Sequence, residues 1–506
     1  MPPNQFITRS RDTIDDNSRD YLFTSLPIEL LLHLFHFLDH RSLAALCATC
    51  TVFNKLVVET GWKDFCRFIH RDTPSETQRW QSLTWGQRAR ESHLINAGWV
   101  SRRFLGRNLN APWRSKHLPI VALSPSRLVE YSSAIVAVGH MVTSYRFDYD
   151  HTRQASAVKC EGNFVVFQDE PTFDITGLTF LPDGGKNEML LVSSLNGTLV
   201  RVQLPLGIPQ QKHSTNQRRR QSQPPFLQAH RTASYPVGNG SLRALASQGN
   251  TAIALTSTGT LHLLNAATPW IPPNQLATGN TSWSTHLQLT ASLPYTAIGT
   301  AKNVSIYDVE QGMLSRKPRA ILSGPGRETP VFCIGEYLPG GPPELITSGW
   351  YDGKVRIHDL RCSTRQRKTS DSEPPSLVPV MTLSDPWRSF DPVYSLAARA
   401  QMSDESERER DRITGLPHQH HYVIAGSAMH SVVCLWDVRN PSDSWSTYVA
   451  SGDRSPIYSL KAEGSRIWGA TQHRAFVMDF APDAHQTEFP LLENPSTYNS
   501  TYSHVR

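Results

Sequence analysis

Few residues in this chain are spaced for covalent or metal chemistry. Cys47-Ala-Thr-Cys50 has the C-x-x-C spacing of a redox pair or of half a zinc site. A structural zinc needs about four ligands, and no second pair or nearby histidines complete the set, so no ligand or redox role is expected. His418-Gln-His420-His421 could take up a metal adventitiously, but it sits in a charged stretch and reads as a solvated loop. Ser323-Gly-Pro-Gly326 is glycine-rich but lacks the Lys-Ser/Thr of a phosphate loop, so it reads as a turn. Neither a G-x-S-x-G elbow nor an H-E-x-x-H helix occurs. No catalytic group, metal or cofactor is expected, which moves the search from chemistry to binding.

Composition sets the frame. At 506 residues the chain has room for two to four domains, or for one large repeat fold with appendages. Hydrophobic residues make up 39% and charged residues 19%, as in a globular protein, and 35 prolines and 30 glycines imply many turns. The net charge of +6 is diffuse, whereas a nucleic-acid interface needs a clustered basic face. The densest basic run, Arg218-Arg219-Arg220, lies in a Gln/Ser/Pro-rich stretch and reads as a solvated loop. The N-terminus lacks the basic-then-apolar pattern of a signal peptide. No uncharged apolar run approaches the ~18 residues of a membrane span. With seven scattered cysteines, an odd number, the chain is expected to be intracellular, cytoplasmic or nuclear, with reduced thiols.

Residues 1–20 are polar and expected to be disordered. From Leu26 to about Phe68 the text becomes helical and apolar. The first helix, about Pro27 to Leu38, begins with proline where a missing N–H is harmless, and Glu29 suits the positive helix end. Its apolar residues cover an arc of roughly 220° at about 100° per residue. A single buried face needs only about 100°. A short second helix is expected from a cap at Asp39-His40-Arg41-Ser42 to about Ala48, and a third from Val52 to about Glu59. A further helical stretch with Trp80, Trp85 and Trp99 runs from Glu76 to about Phe104.

After Trp113 short β-runs repeat. The unit is an apolar strand with a small residue inside, a second strand, a tight turn, and a third strand ending in an apolar residue plus Asp or Asn. VFCIGEYL…ELITSGWYDGKVRIHDLR (331–361) is the clearest copy, and VYSLAARA…HYVIAGSAMHSVVCLWDVRN (393–440) and IYSLKAE-GSRIWGATQHRAFVMDF (457–480) follow it. Seven copies can be aligned from residue 120 onward. Asn196-Gly197, Thr258-Gly259 and Asp352-Gly353 supply the hairpin turns. Runs such as FVVFQ, RAILS, PVMTLS and STYVAS can serve as outer strands. Four strands repeated seven times predict a closed β-propeller, which leaves only short, protected edges. The last blade needs an outer strand from elsewhere, either the tail after Ala481 or, as favoured here, the segment near Val100–Gly106.

Two resemblances now stand on quoted residues. Leu435-Trp436-Asp437 is similar to a WD repeat, with Tyr307-Asp308 and His358-Asp359 as weaker copies, although the usual Gly-His pair is largely missing. Leu26-Pro27-x-Glu29-Leu30…Leu34…Phe37-Leu38…Leu43…Leu46…Cys50…Phe53…Leu56, followed by Trp62-Lys63-Asp64-Phe65, resembles an F-box. In this order the two resemble F-box/WD-repeat proteins, the substrate receptors of cullin-based ubiquitin ligases. The expected organisation is a disordered 1–20, an F-box at 21–68, a helical linker at 69–113 and a seven-bladed propeller at 114–482. Loop insertions are expected at 205–240, 361–380 and 400–420, and a tail at 483–506.

The resemblance implies a non-catalytic adaptor. Leu26, Pro27, Leu30, Leu34, Leu43 and Phe53 would dock a Skp-type adaptor and, through it, a cullin/RING ligase, which gives the wide apolar arc a purpose. A private core for these residues is the alternative. The propeller would hold an unidentified protein target. Arg243, Arg356, Arg399 and Arg466 lie near strand ends and could converge to grip a phosphorylated or acidic peptide; scattered solvated arginines are the plainer reading. The rival functions are a propeller scaffold without a ubiquitin role and, more remotely, an enzyme with its site at the central channel. Neither nucleic acid nor membrane is expected as a partner.

Overall fold

In a computed structural model of the chain, the residues described are 26–35, 37–38, 40–69, 83–113, 117–124, 132–150, 155–167, 173–204, 227–238, 240–338, 341–362, 374–385, 391–399, 421–449, 454–490 and 499–502. The expected disordered start, the Arg218–Arg220 run, His418 and His420 lie outside them. A short helical region is followed by an all-β seven-bladed propeller. The chain divides into two compact units.

In the helical unit, α1 (Ile28–Phe35) starts on Pro27, whose carbonyl accepts the amides of Leu30 and Leu31. Helix α2 (His40–Cys47) begins earlier than its sequence suggested, because His40, Arg41 and Ser42 are already helical rather than a capping turn. Helix α3 (Thr51–Leu56) does not stop near Glu59. It passes through a π-turn at Val57–Gly61 into α4 (Trp62–Ile69), making one continuous run. The wider π-turn brings Gly61 so near Phe35 that a Cβ there would sit 3.1 Å from the ring. Leu31, Phe35, Leu43, Phe53, Val57 and Trp62 form the core of this unit.

Helix α5 (Trp85–Val100) opens on a capping box: the Thr84 amide donates to Gln87 Oε1 at 2.9 Å, and the Gln87 amide donates to Thr84 Oγ1 at 3.4 Å. Its first turns carry Trp85 and Ala89, part of the helical core. Its last turns carry Ile95 and Trp99, buried in the propeller.

Six sheets are meanders whose first four strands pair antiparallel in chain order, as in Ile120–Leu123, Ser132–Val138, Met141–Asp150 and Ala155–Val165 of the first. The expected outer strands appear at Ala320–Leu322, Met381–Ser384 and Ser444–Tyr448. Two more, His230–Tyr235 and Asn274–Ala277, were not singled out in the sequence, and the first falls inside the stretch read as a loop insertion. Ser376–Leu377 adds a short parallel edge to blade four. Residues 205–226, 363–373 and 400–420 of the expected insertions lie outside the described part. Gly259 in a tight hairpin turn has φ 79°, and a Cβ there would lie 2.0 Å from the Asn280 carbonyl, so only glycine fits.

The ring closes through the earlier segment. Phe104–Asn108 pairs antiparallel with Ala475–Asp479 as the fourth strand of blade seven. The tail also contributes, because Asn499–Tyr502 pairs with the outer edge of Phe104–Asn108. Trp99 stacks on Phe480 with ring centroids 3.8 Å apart and on Tyr422 at 5.4 Å. Trp99→Ala should therefore lower unfolding free energy by about 3–5 kcal/mol in denaturant titration. Trp270→Ala, at a side chain 77% exposed, should stay within about 0.5 kcal/mol.

Candidate functional site

The helical unit buries part of the α1 arc and leaves the rest open. Leu31 and Phe35 face its core, whereas Leu30 and Leu34, one turn apart, remain 50% and 40% exposed. Ile28, Val52 and Val58 are also exposed. The six residues singled out for adaptor docking thus divide. Leu30, Leu34 and Pro27 are at the surface and Leu26 is half-buried. Leu43 is 0% exposed and Phe53 8%, and both pack inside the unit. Cys47 and Cys50 are free thiols, and Cys47 Sγ accepts from Asn54 Nδ2 at 3.2 Å. Among the described residues no group of three His, Cys, Asp or Glu is placed to hold a metal, and no helix is long and apolar enough to cross a membrane.

The structure does not bring the four arginines together on a surface. Arg356 is 2% exposed, bonded through both terminal nitrogens to the Asp352 carboxylate at 3.1 and 2.5 Å, with its guanidinium 4.5 Å from the Trp350 ring centre. Arg399 donates to the Gly464 carbonyl and to Asn96 Oδ1, each at 3.0 Å, and lies over Trp99. Arg466 donates to buried Asp479 at 2.7 Å and lies over Phe147 of blade one. These three are buried and engaged within the propeller, and Arg243 alone is exposed.

Arg243 occupies a position that recurs. In six of the seven blades the innermost strand carries a β-bulge at its second residue. The residues there are Thr176, Arg243, Trp283, Phe332, Tyr394 and Tyr458. A bulge re-aims the side chain it carries, and in blades four to seven that side chain is aromatic. The rings touch in sequence around the propeller: Trp283 to Phe332 at 5.8 Å, Phe332 to Tyr394 at 4.9 Å, and Tyr394 to Tyr458 at 5.5 Å, the last pair stacked. Tyr351, 5.9 Å from Phe332 and exposed, extends the arc. The four bulge aromatics are half-buried, so each leaves ring area open to a partner. Sequence reading passed over this arc although its signal was present. VFC, VYS and IYS stand at the head of three aligned repeats and SWS lies just ahead of the copy aligned from His286, and the middle letter is the aromatic column.

Trp436 of the WD-like segment is structural. It is buried between blades five and six, and its indole N–H donates to the Ser384 carbonyl at 3.3 Å. Beside Arg356, fully buried His358 holds Nε2 3.1 Å from the Ser323 carbonyl, which requires the Nε2–H tautomer. Burial pulls its pKa down from 6.5 to about 4, opposed by that hydrogen bond and assisted by Arg356.

Compared with known proteins, residues 23–68 match the F-box-like domain family. No curated protein matches the chain. An F-box-like segment followed by seven blades is the arrangement of F-box/WD-repeat proteins.

Burial of His358 makes stability depend on pH. Its folded pKa lies below the unfolded value, so as pH falls below 6.5 the unfolded chain binds a proton that the folded blade refuses. Stability from this group is complete above pH 6.5 and declines as pH falls toward 4. Denaturant midpoints should drop between about pH 7 and about pH 5, and less steeply in His358→Gln, whose side chain keeps a neutral donor.

Proposed function

We propose that this chain is the substrate-receptor subunit of a cullin-type ubiquitin ligase. Domains of the F-box type bind Skp-type adaptors, and the observation that carries the reading is the open apolar face of α1. A small helical unit with its own filled core has no internal reason to leave Leu30 and Leu34 exposed one turn apart. An amphipathic helix presented in this way suits a groove on a partner. In this reading Leu26, Pro27, Leu30 and Leu34 contact the adaptor, while Leu43 and Phe53 support that surface from beneath.

The propeller then holds the target protein, and the aromatic arc from Trp283 to Tyr458 is the surface we assign to it, with Arg243 at one end. Aromatic rings on a rigid frame supply large contact area with little side-chain ordering, and loops or bulges on rigid strands are where binding residues collect. The chain itself carries no catalytic group in this scheme, and ubiquitin is transferred by other subunits.

Leu30→Asp combined with Leu34→Asp should abolish co-purification with the Skp-type adaptor, because two carboxylates would be forced into an apolar contact. The propeller should keep its unfolding transition, measured on the same preparation. Retained adaptor binding by a folded double variant overturns the assignment. Target levels should rise when the chain is deleted from cells, and unchanged protein levels across the proteome would favour a scaffold instead.

A further inference from the structure

The inner strands of blades two to seven line a half-open cavity of about 480 Å³ on the propeller axis. Part of its polar wall is already satisfied. Thr179 and Ser247 are joined by a 2.7 Å hydrogen bond, and the Gln248 amide donates to Gln288 at 3.1 Å. The Thr347 hydroxyl, also on the wall, has no partner among the described residues, and two charged side chains stand apart as well. Glu336 of blade five and Lys461 of blade seven both line the cavity, both remain solvent-accessible, and no ion pair joins them among the described residues. Each feels the other electrostatically across the space.

Both side chains reach solvent, yet the strands around them remove part of their hydration. That partial loss pushes the Glu336 carboxyl up and draws the Lys461 ammonium down, and each shift is partly countered by the opposite charge. His286 lines the same cavity, and burial, reinforced by Lys461, lowers its pKa to about 4. It is therefore a neutral imidazole at neutral pH and adds no third charge. A carboxyl group and an amine that line one cavity without an ion pair between them are complementary to a ligand that offers both an ammonium and a carboxylate. The volume lies within the range of about 300–1,000 Å³ common for small-molecule sites.

We infer that the axial cavity binds a compact zwitterion of α-amino-acid type, its carboxylate directed to Lys461 and its ammonium to Glu336. Ile334 and Leu396 line the same cavity and offer apolar surface to a short side chain. This site is separate from the reading of the chain as a ligase receptor, since it needs neither adaptor nor target.

The test is calorimetric titration of the full chain with glycine, L-serine and L-glutamine, with acetate and methylammonium as single-charge controls. At least one zwitterion should bind saturably and raise the thermal midpoint, and neither control should do so. Lys461→Met and Glu336→Gln should each weaken that binding about tenfold or more, the loss expected for one charge-assisted hydrogen bond. Failure of all three zwitterions to bind the unmodified chain overturns the inference, as does binding that both variants leave unchanged. Because the unmodified chain decides the first outcome, misfolding of a variant cannot rescue the proposal.

Discussion

The structure depends on closing a ring from the two ends of one chain segment. Every blade lays both sheet faces on its neighbours, and seven separate apolar clusters fill the seven gaps between blades. A gap left open would expose two such faces at once. The pairing of Phe104–Asn108 with Ala475–Asp479 prevents this, and Asn499–Tyr502 then covers the outer edge. These partners are far apart in sequence, so the contact brings a large loop-closure entropy that only the completed ring offsets. Beside the closure Trp99 stacks on Phe480 and Phe104 meets the same ring at a tilt, adding aromatic contact at this point.

Buried arginine serves the same end. Arg399 ties blade six to the Gly464 turn of blade seven and to Asn96, and Arg466 of blade seven lies over Phe147 of blade one. A planar guanidinium stacks on an aromatic face while still donating in its plane, which a lysine ammonium cannot reproduce. The same properties make arginine a good phosphate receptor. Residue type therefore did not distinguish a ligand contact from a staple between blades.

Much of the fold was legible because hydrophobic patterning is local. The seven copies, their hairpin glycines and the F-box-like run from Leu26 to Leu56 all follow from periodicity and turn chemistry. What failed was also local. The start of α2 goes with stacking of His40 on His93 and its approach to Trp62, and the unbroken passage from Leu56 to Trp62 goes with the fit of Gly61 against Phe35, none of which is a cap residue's doing. Outer strands such as His230–Tyr235 have mostly exposed side chains and so lack the alternation that marks a half-buried strand.

The sequence by itself determined the blade count, the helical segment ahead of the propeller and an apolar arc on α1 wider than one core requires. Each is a property of spacing along the chain. Only the tertiary structure decided which part of that arc stays open, that Leu43 and Phe53 lie beneath it, and that three of four candidate arginines are buried. It also placed Trp283, Phe332, Tyr394 and Tyr458 in one arc and set Glu336 and Lys461 in one cavity. Those outcomes depend on distances between strands that are remote in the chain, and side-chain period along one strand carries no information about which neighbour lies across the ring.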